Sequence, residues 1–245
     1  MDFSKVDELK DRIKSMRPLN ETEIKRLREE FMIENTYHSN AIEGNTLTLR
    51  ETALILQEGI TIGEKPLKEH LEVIGYRDAF TYVLSLADTH TALTEQIIKN
   101  IHALVLMDDV NNKGVYRNVP VTILGATHTP PQPYLVPVQM EELVRDYNNR
   151  KPDQHIIEAV AEFHLRFEGI HPFIDGNGRT GRLILNLELI KAGLLPVNIK
   201  FADRRKYYEC FDHYYSNGHT SETLIQMLVA YEIEELRKYI GILER

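Results

Sequence analysis

Apolar side chains recur every three or four positions along most of the chain, which is the spacing of helices that bury one face. One such stretch starts with Asn20 as a predicted N-cap, with Glu23 completing a capping box, and stops at Gly44. Thr48 and Glu51 form a second capping box before the next apolar run. Further helical patterns follow in "LKEHLEVIGYRDAFTYVLSLA", "TEQIIKNIHALVLM", "VQMEELVRDYNN", "DQHIIEAVAEFHLRFEG", "GRTGRLILNLELIKAG", "DRRKYYECFDHYYSNG" and "SETLIQMLVAYEIEELRKYIGIL".

Residues 114–137, called the flap below, break this helical pattern. The flap sequence "GVYRNVPVTILGATHTPPQPYLVP" combines β-branched residues with glycines and several prolines, which predicts a strand or short hairpin with a proline-rich return. We therefore expect an all-α fold with a small β-hairpin flap. The predicted organisation is a set of N-terminal helices over residues 1–60 and a core over residues 61–245, packed as one compact unit.

Composition limits the classes of protein that fit. The chain has 29 Lys and Arg against 37 Asp and Glu, a net charge of −8, which argues against general affinity for nucleic acid or an anionic membrane. It contains no apolar run of membrane-spanning length and no signal or transit pattern at its start, so a cytoplasmic location is expected. Its single cysteine, Cys210, excludes an internal disulfide and a zinc-finger type of site.

The densest candidate chemistry is "HPFIDGNGRTGR", residues 171–182, called the signature turn below. Its glycines flank a predicted helix start, where backbone N–H groups and the helix dipole favour an anion. Arg179 and Arg182 lie on one face of that helix, where cations are unfavourable without an anion, which indicates phosphates. Asp175 is placed to hold Mg²⁺ beside those phosphates, and His171 to take a proton from an attacking hydroxyl.

Each of these residues also has an ordinary structural explanation. A glycine-rich helix start is common, an aspartate there is often an N-cap, and a histidine before a proline is often a turn residue. Their concentration in twelve residues favours a functional site. A P-loop is excluded because no Gly-Lys-Ser/Thr follows the glycines, and a dinucleotide fold because the preceding segment reads as helical.

The signature turn resembles the Fic-domain signature, His-x-Phe-x-Asp/Glu-Gly-Asn-Gly-Arg-x-x-Arg, at every specified position. The flap stretch "VTILGATHTPPQP" and the downstream "RRKYYECF" extend the resemblance over about residues 93–215. The resemblance implies transfer of AMP from ATP, with Mg²⁺, to a hydroxyl side chain of a target protein. It also implies roles for His171 as general base, Asp175 as magnesium ligand and Arg182 as γ-phosphate ligand. The other implied phosphate-binding residues of the turn are Gly176, Asn177, Gly178, Arg179, Thr180 and Gly181.

The same resemblance implies residues around the nucleoside. Tyr207 and Tyr208 match a tyrosine pair on the nucleoside side, although tyrosines on an apolar helix are as often core residues. Leu124, Gly125 and His128 of the flap are expected to cover it. A target protein segment is expected to pair with the exposed edge of residues 119–124. Whether the chain forms a homodimer is left open.

A second short stretch, "SNAIEGN", resembles the inhibitory motif of the same family, Ser/Thr-x-x-x-Glu-Gly/Asn, at Ser39, Glu43 and Gly44. Alone, Glu43 reads as an ordinary solvated glutamate at the end of a helix. The resemblance implies that Glu43 pairs with Arg182 and denies it to the γ-phosphate. Two alternatives remain: an enzyme that also or mainly removes AMP through Glu43, and a nucleotide-responsive interaction module without catalysis.

Overall fold

The computed structural model describes residues 2–87, 89, 91–123, 125–150 and 153–244, and within these ranges the chain forms ten α-helices, two short 3-10 helices and no strand. The 3-10 helices are Pro133–Leu135 and Phe201–Asp203. The α-helices in chain order are α1 Ser4–Ser15, α2 Glu21–Ile42, α3 Leu49–Glu58, α4 Leu67–Ala87, α5 Glu95–Val105, α6 Val136–Asn148, α7 Ile156–Ile170, α8 Asn177–Lys191, α9 Arg204–Ser216 and α10 Glu222–Leu243.

The predicted helix boundaries near the N-terminus are confirmed. The Asn20 side chain accepts a hydrogen bond from the Glu23 N–H, and the Glu23 carboxylate accepts one from the Asn20 N–H, so a full capping box starts α2. Thr48 and Glu51 make the same reciprocal pair at the start of α3. Helix α2 ends at Ile42, and Gly44 follows with φ 100°, a backbone conformation that glycine adopts without strain.

Helix α8 runs through the centre of the fold. It packs against α4, α5 and α7, and nearly every residue from its first turn to Leu189 is buried. One apolar core joins residues as distant in sequence as Val6 and Ile240. The C-terminal turns of α2 pack on α8 and α4, which brings the stretch "SNAIEGN" to the start of α8. The division at residue 60 stays a prediction.

The predicted β-hairpin is wrong for the described part of the flap. Residues 114–123 and 125–132 form turns and irregular backbone without strand pairing. β-branched residues favour an extended chain, but a strand also needs a partner, and the flap prolines lack the N–H groups that pairing uses. The Arg117 side chain instead donates to the carbonyls of Val119 and Pro131, at 3.0 and 2.6 Å.

None of the described helices is both long and apolar enough to cross a membrane.

Candidate functional site

The signature turn joins the end of α7 to the start of α8 through a fixed loop. His171 is the C-cap of α7 and adopts left-handed backbone, with φ 49°. Gly176 is the N-cap of α8, with φ 75°, where glycine is unstrained. The Asn177 side chain donates to the Phe173 carbonyl and accepts from the Phe173 N–H, both at 2.9 Å. The Asn177 side chain therefore holds the loop together, and its backbone N–H lies in the first turn of α8.

The start of α8 has the geometry of an anion site. The N–H groups in the first turn of a helix have no partner within the helix, and they lie at the positive end of its dipole. The Gly176 N–H donates to Asp175 Oδ1 at 2.6 Å, so that group is already used. At Gly178 a Cβ would collide with the Glu43 carboxylate. Glycine at this position leaves the space beside the backbone to an oxygen ligand, here the Glu43 carboxylate.

Arg182 is held by the end of α2. Its Nε donates to Ser39 Oγ at 2.9 Å, and its Nη2 donates to the Ser39 carbonyl at 2.9 Å and to Glu43 Oε1 at 2.7 Å. The Arg182 side chain is 5% exposed and that of Glu43 is 35% exposed. Burial opposes the charge on Arg182, but the Glu43 carboxylate together with Tyr207 and Tyr76 outweighs burial and raises the pKa of the guanidinium. The pairing expected between Glu43 and Arg182 is thus present, and Ser39 contacts Arg182 directly.

Arg179 lies deeper than Arg182. Its side chain is 2% exposed and faces two carboxylates, with Nη1 3.3 Å from Glu72 Oε1 and Nη2 3.5 Å from Asp175 Oδ1. These contacts compensate the buried positive charge. Arg179 therefore neutralises the acidic side of the signature turn, next to the N–H groups that face an anion.

Asp175 has the properties of a ligand for a substrate-borne Mg²⁺. Its side chain is half-exposed, and Arg179 and the Gly176 N–H more than offset the effect of burial, so its pKa is lowered and the carboxylate is ionised. The His102 Nε2 donates to the Asp175 carbonyl at 2.9 Å and fixes its backbone. Within the described residues, no three acidic, His or Cys side chains cluster into a metal cage. Mg²⁺ usually binds one or two carboxylates plus phosphates and water, which a single aspartate fits.

His171 is set up as a proton acceptor. Its Nδ1 lies 3.3 Å from the Glu168 carbonyl, and because a carbonyl only accepts, Nδ1 carries the hydrogen and Nε2 is left as the acceptor. Burial lowers the pKa of His171 below its usual value. The imidazole is therefore neutral at pH 7 and can take a proton.

A cavity of about 410 Å³ joins His171, Arg182 and Glu43, whereas Asp175 and Arg179 are not among its lining residues; it is called the α8 cavity below. Among the predicted site residues, eight line it: Glu43, Gly125, His128, His171, Gly178, Arg182, Tyr207 and Tyr208. Thr180 and Gly181 are both buried, and Gly181 packs on His164 and Glu168 of α7. Leu124 lies outside the described residues.

The aromatic wall of the α8 cavity comes from α9 and the flap. Tyr207 is 1% exposed, and its hydroxyl lies 2.6 Å from His164 Nε2, so it is also a core residue. The exposed Tyr208 donates its hydroxyl to the Ile42 carbonyl of α2 at 3.2 Å. His128 stacks on Tyr215 with ring centroids 3.8 Å apart, which closes the flap over this end.

Three residues near the site were not found by sequence reasoning. Arg117 is 5% exposed and donates its Nε to the His171 carbonyl at 2.8 Å, in addition to its bonds within the flap. His102 accepts from the Gly114 N–H and stacks on Phe173 at 3.6 Å. Glu168 lines the α8 cavity. Arg117 could have been noticed because it is an arginine within the largely apolar flap sequence. His102 and Glu168 gave no such signal, since both look like ordinary helix residues.

Comparison with known proteins agrees with this geometry. A family model for the Fic/DOC family matches residues 92–189. The chain is 39% identical over 210 residues to a protein adenylyltransferase Fic of Nematostella vectensis, covering 84% of this chain and 48% of that protein. It is 34% identical to the protein of that name in Aedes aegypti, covering 84% and 42%. The chain thus spans less than half the length of these curated relatives.

Solved structures share the fold over almost the whole chain. A Fic domain containing signaling protein from Bacteroides thetaiotaomicron superposes with a TM-score of 0.91 at 29% identity, covering 98% of both chains. A Fic-1 structure from C. elegans gives a TM-score of 0.85 at 30% identity, covering 98% of this chain and 71% of that one. With the family model and these similarities added to the geometry of the signature turn, the chain belongs to the Fic/DOC family.

Proposed function

We propose that the chain is an autoinhibited protein adenylyltransferase, which transfers AMP from ATP to a hydroxyl side chain of a target protein. The observation that carries this proposal is the α8 cavity, where a neutral His171 and the Arg182–Glu43 pair line one space at the N-terminus of α8. The names of the curated relatives support the reaction class. The proposed phosphate contacts, the Mg²⁺ ligand and the inhibition are argued from the residues of this chain.

The proposed reaction is an in-line displacement at the α-phosphorus. The target hydroxyl oxygen forms a new bond to the α-phosphorus, the bond to the β-phosphate bridging oxygen breaks, and pyrophosphate leaves. The hydroxyl proton passes to His171 Nε2. The first-turn N–H groups of α8 and Arg182 hold the phosphates, because phosphoryl transfer depends mainly on positioning and charge stabilisation.

Asp175 would hold Mg²⁺ through its ionised carboxylate, and the ion would supply charge neutralisation for the triphosphate. The chain's own contribution is to keep that carboxylate in place. His102 fixes the Asp175 backbone, and the Gly176 N–H fixes Oδ1.

In this proposal, Glu43 inhibits the reaction because it occupies the binding position of the terminal phosphate. Its carboxylate accepts a hydrogen bond from Arg182 and fills the space above Gly178, which are the positions that a terminal phosphate needs. ATP can then bind only in a pose that is displaced from the in-line geometry. Ser39 adds two hydrogen bonds that hold Arg182 against α2.

Removal of AMP from a target is the second candidate, and it uses the same observation. Glu43 lines the cavity together with His171, so its carboxylate could orient a water for attack on a bound adenylyl group. A binding module without chemistry is the third candidate. It gives no reason to keep a neutral, proton-accepting histidine beside the phosphate site.

The experiment that tests the proposal uses the Glu43→Gly chain with labelled ATP, Mg²⁺ and a lysate, followed by mass spectrometry of the labelled bands for an AMP adduct. His171→Ala in that background should abolish labelling and leave nucleotide affinity largely unchanged, because the base acts in the transition state. His213→Ala, on α9 and outside the α8 cavity, is the matched control. Equal labelling by the His171→Ala chain would remove the assigned base and with it the proposed mechanism.

A further inference from the structure

A carboxyl group in the α8 cavity has no role in the scheme above. Glu168 lies in the last turn of α7, three residues before His171, and lines the cavity with Arg182 and Tyr207. Its Oε1 is shielded from solvent and has no hydrogen-bond partner within the described residues. Buried polar atoms are almost always hydrogen-bonded in folded proteins. Because Glu168 lines the cavity and Oε1 makes no such bond to a described residue, the carboxyl is a candidate for binding a ligand group there.

The backbone of α8 makes room for this carboxyl. A Cβ at Gly181 would lie 2.6 Å from Glu168 Oε1 and 2.8 Å from His164 Cε1, both too close for a real side chain. A glycine at that position lets the carboxyl pack directly on the helix. Oε1 thus packs on α8, which confines the Glu168 side chain at the wall of the cavity.

The Glu168 carboxyl lies close enough to Arg182 and to Tyr207, which belong to the two ends of the cavity, to interact electrostatically with both. Gly178 and Arg182 form the phosphate end, and the rings of Tyr207, Phe211 and Tyr215 form the aromatic end. In a nucleotide that spans both ends, the group between the phosphates and the base is the sugar. Carboxyl groups bind sugar hydroxyls in other nucleotide sites through hydrogen bonds to the ribose diol.

We infer that Glu168 binds a ribose hydroxyl of the nucleotide in the α8 cavity and so makes the site selective for ribonucleotides over deoxyribonucleotides. This inference rests on the proposed function for the orientation of the nucleotide. Glu168 is then a specificity-determining residue, distinct from the base and from the phosphate ligands.

The protonation of the carboxyl agrees with that role. Burial raises the pKa of Glu168 to about 8, with the Glu43 carboxylate adding to the effect and Arg182 opposing it. At pH 7 the carboxyl is therefore neutral, with one O–H donor and acceptor capacity on both oxygens. A sugar hydroxyl, which also both donates and accepts, is a matched partner.

The test measures binding alone. The Glu43→Gly chain is titrated calorimetrically at pH 7 with ATP, 2′-deoxy-ATP and 3′-deoxy-ATP, in the absence of Mg²⁺ and target. Loss of one neutral hydrogen bond predicts about 3-fold to 10-fold weaker binding of at least one deoxynucleotide. The comparison needs no variant at residue 168, so it holds even if variants there fold poorly.

Two variants then assign the preference to Glu168. Glu168→Met keeps the length of the side chain without hydrogen bonds and should bind ATP and the deoxynucleotides equally. Glu168→Gln keeps a donor and an acceptor and should retain a preference for ATP. Glu162→Gln removes an exposed carboxylate from the same helix and is the control.

Equal binding of all three nucleotides by the Glu43→Gly chain overturns the inference, and so does an unchanged preference in the Glu168→Met chain. The outcome is separable from that of the proposed function. A chain that prefers the ribonucleotide but never transfers AMP supports the inference and refutes the proposed reaction. A chain that transfers AMP without a sugar preference does the reverse.

Discussion

Replacement of Glu43 by glycine should increase the rate of adenylylation. The Glu43 carboxylate accepts a 2.7 Å hydrogen bond from Arg182, and a charge-assisted bond of this kind contributes about 1.5–3 kcal/mol. Glu43 is 35% exposed, so solvent screens part of the interaction and the lower half of that range applies. Since about 1.4 kcal/mol corresponds to a factor of ten, we expect roughly a 10-fold to 40-fold increase.

The increase should appear mainly in kcat. Arg182 stays attached to Ser39 through its Nε after Glu43 is removed, so the guanidinium keeps its place while its Nη2 becomes available to a phosphate. Ser39→Ala alone should give a smaller increase because Glu43 still occupies the site. Any removal of AMP should be lost with Glu43, since the carboxylate that orients water is gone.

The assay measures AMP transfer and AMP release on one purified target at varied ATP. It compares the unmodified chain with Glu43→Gly, Arg182→Ala and the double variant, and Glu30→Gln, an exposed residue of the same helix, is the control. A Glu43→Gly chain that is no faster than the unmodified one refutes autoinhibition. If the double variant matches Glu43→Gly, Arg182 is not the residue that Glu43 restrains.

Three further predictions concern the fold, the flap and pH. Arg117→Lys should lower the free energy of unfolding by on the order of 2–4 kcal/mol in urea, because one ammonium cannot reach all the carbonyls that the guanidinium serves, whereas the exposed Arg205→Lys should change it little. Thr122→Pro should weaken modification of a target peptide but not ATP binding if the flap docks targets through its backbone, and Thr122→Ala should behave like the parent. Burial raises the pKa of Glu232 to about 8, so the folded chain keeps a proton that the unfolded chain loses above about pH 4.5 and stability falls as the pH rises to 8. Glu232→Gln should reduce that fall, measured as Tm between pH 5 and 8, and an unchanged slope would contradict the shift.

Local features of the fold could be read from the sequence because their causes are local. Capping boxes such as Asn20 with Glu23 involve residues three apart, and the signature turn is continuous in sequence. The flap could not be read this way, because β-branched residues report a preference for extended backbone while pairing depends on a distant partner. Arg117 was missed for a related reason. Its acceptors are backbone carbonyls, which every residue has, so no partner side chain marks the contact.

The contacts of the candidate site also join residues that are distant in sequence, so they were hard to predict. The pairing of Glu43 with Arg182 joins residues 139 positions apart, and only the resemblance of two short motifs connected them beforehand. Glu168 lies in a segment that was predicted as helix, but its confinement depends on the approach of Gly181 from the next helix. The distance between α7 and α8 cannot be predicted from the sequence of either helix alone.

The burial of the last turn of α2 limits how inhibition can be relieved. Ser39, Asn40 and Ala41 are at most 6% exposed, and Ile42 is fully buried in the apolar core. Swinging this helix away would expose core surface, at about 25 cal/mol for each Å² of apolar area. Turning the Glu43 side chain about its own bonds exposes none of it. If Glu43 inhibits as proposed, its release would be a rotamer change inside a constant fold, and we expect the active and inactive chains to be nearly indistinguishable in overall shape and in melting behaviour.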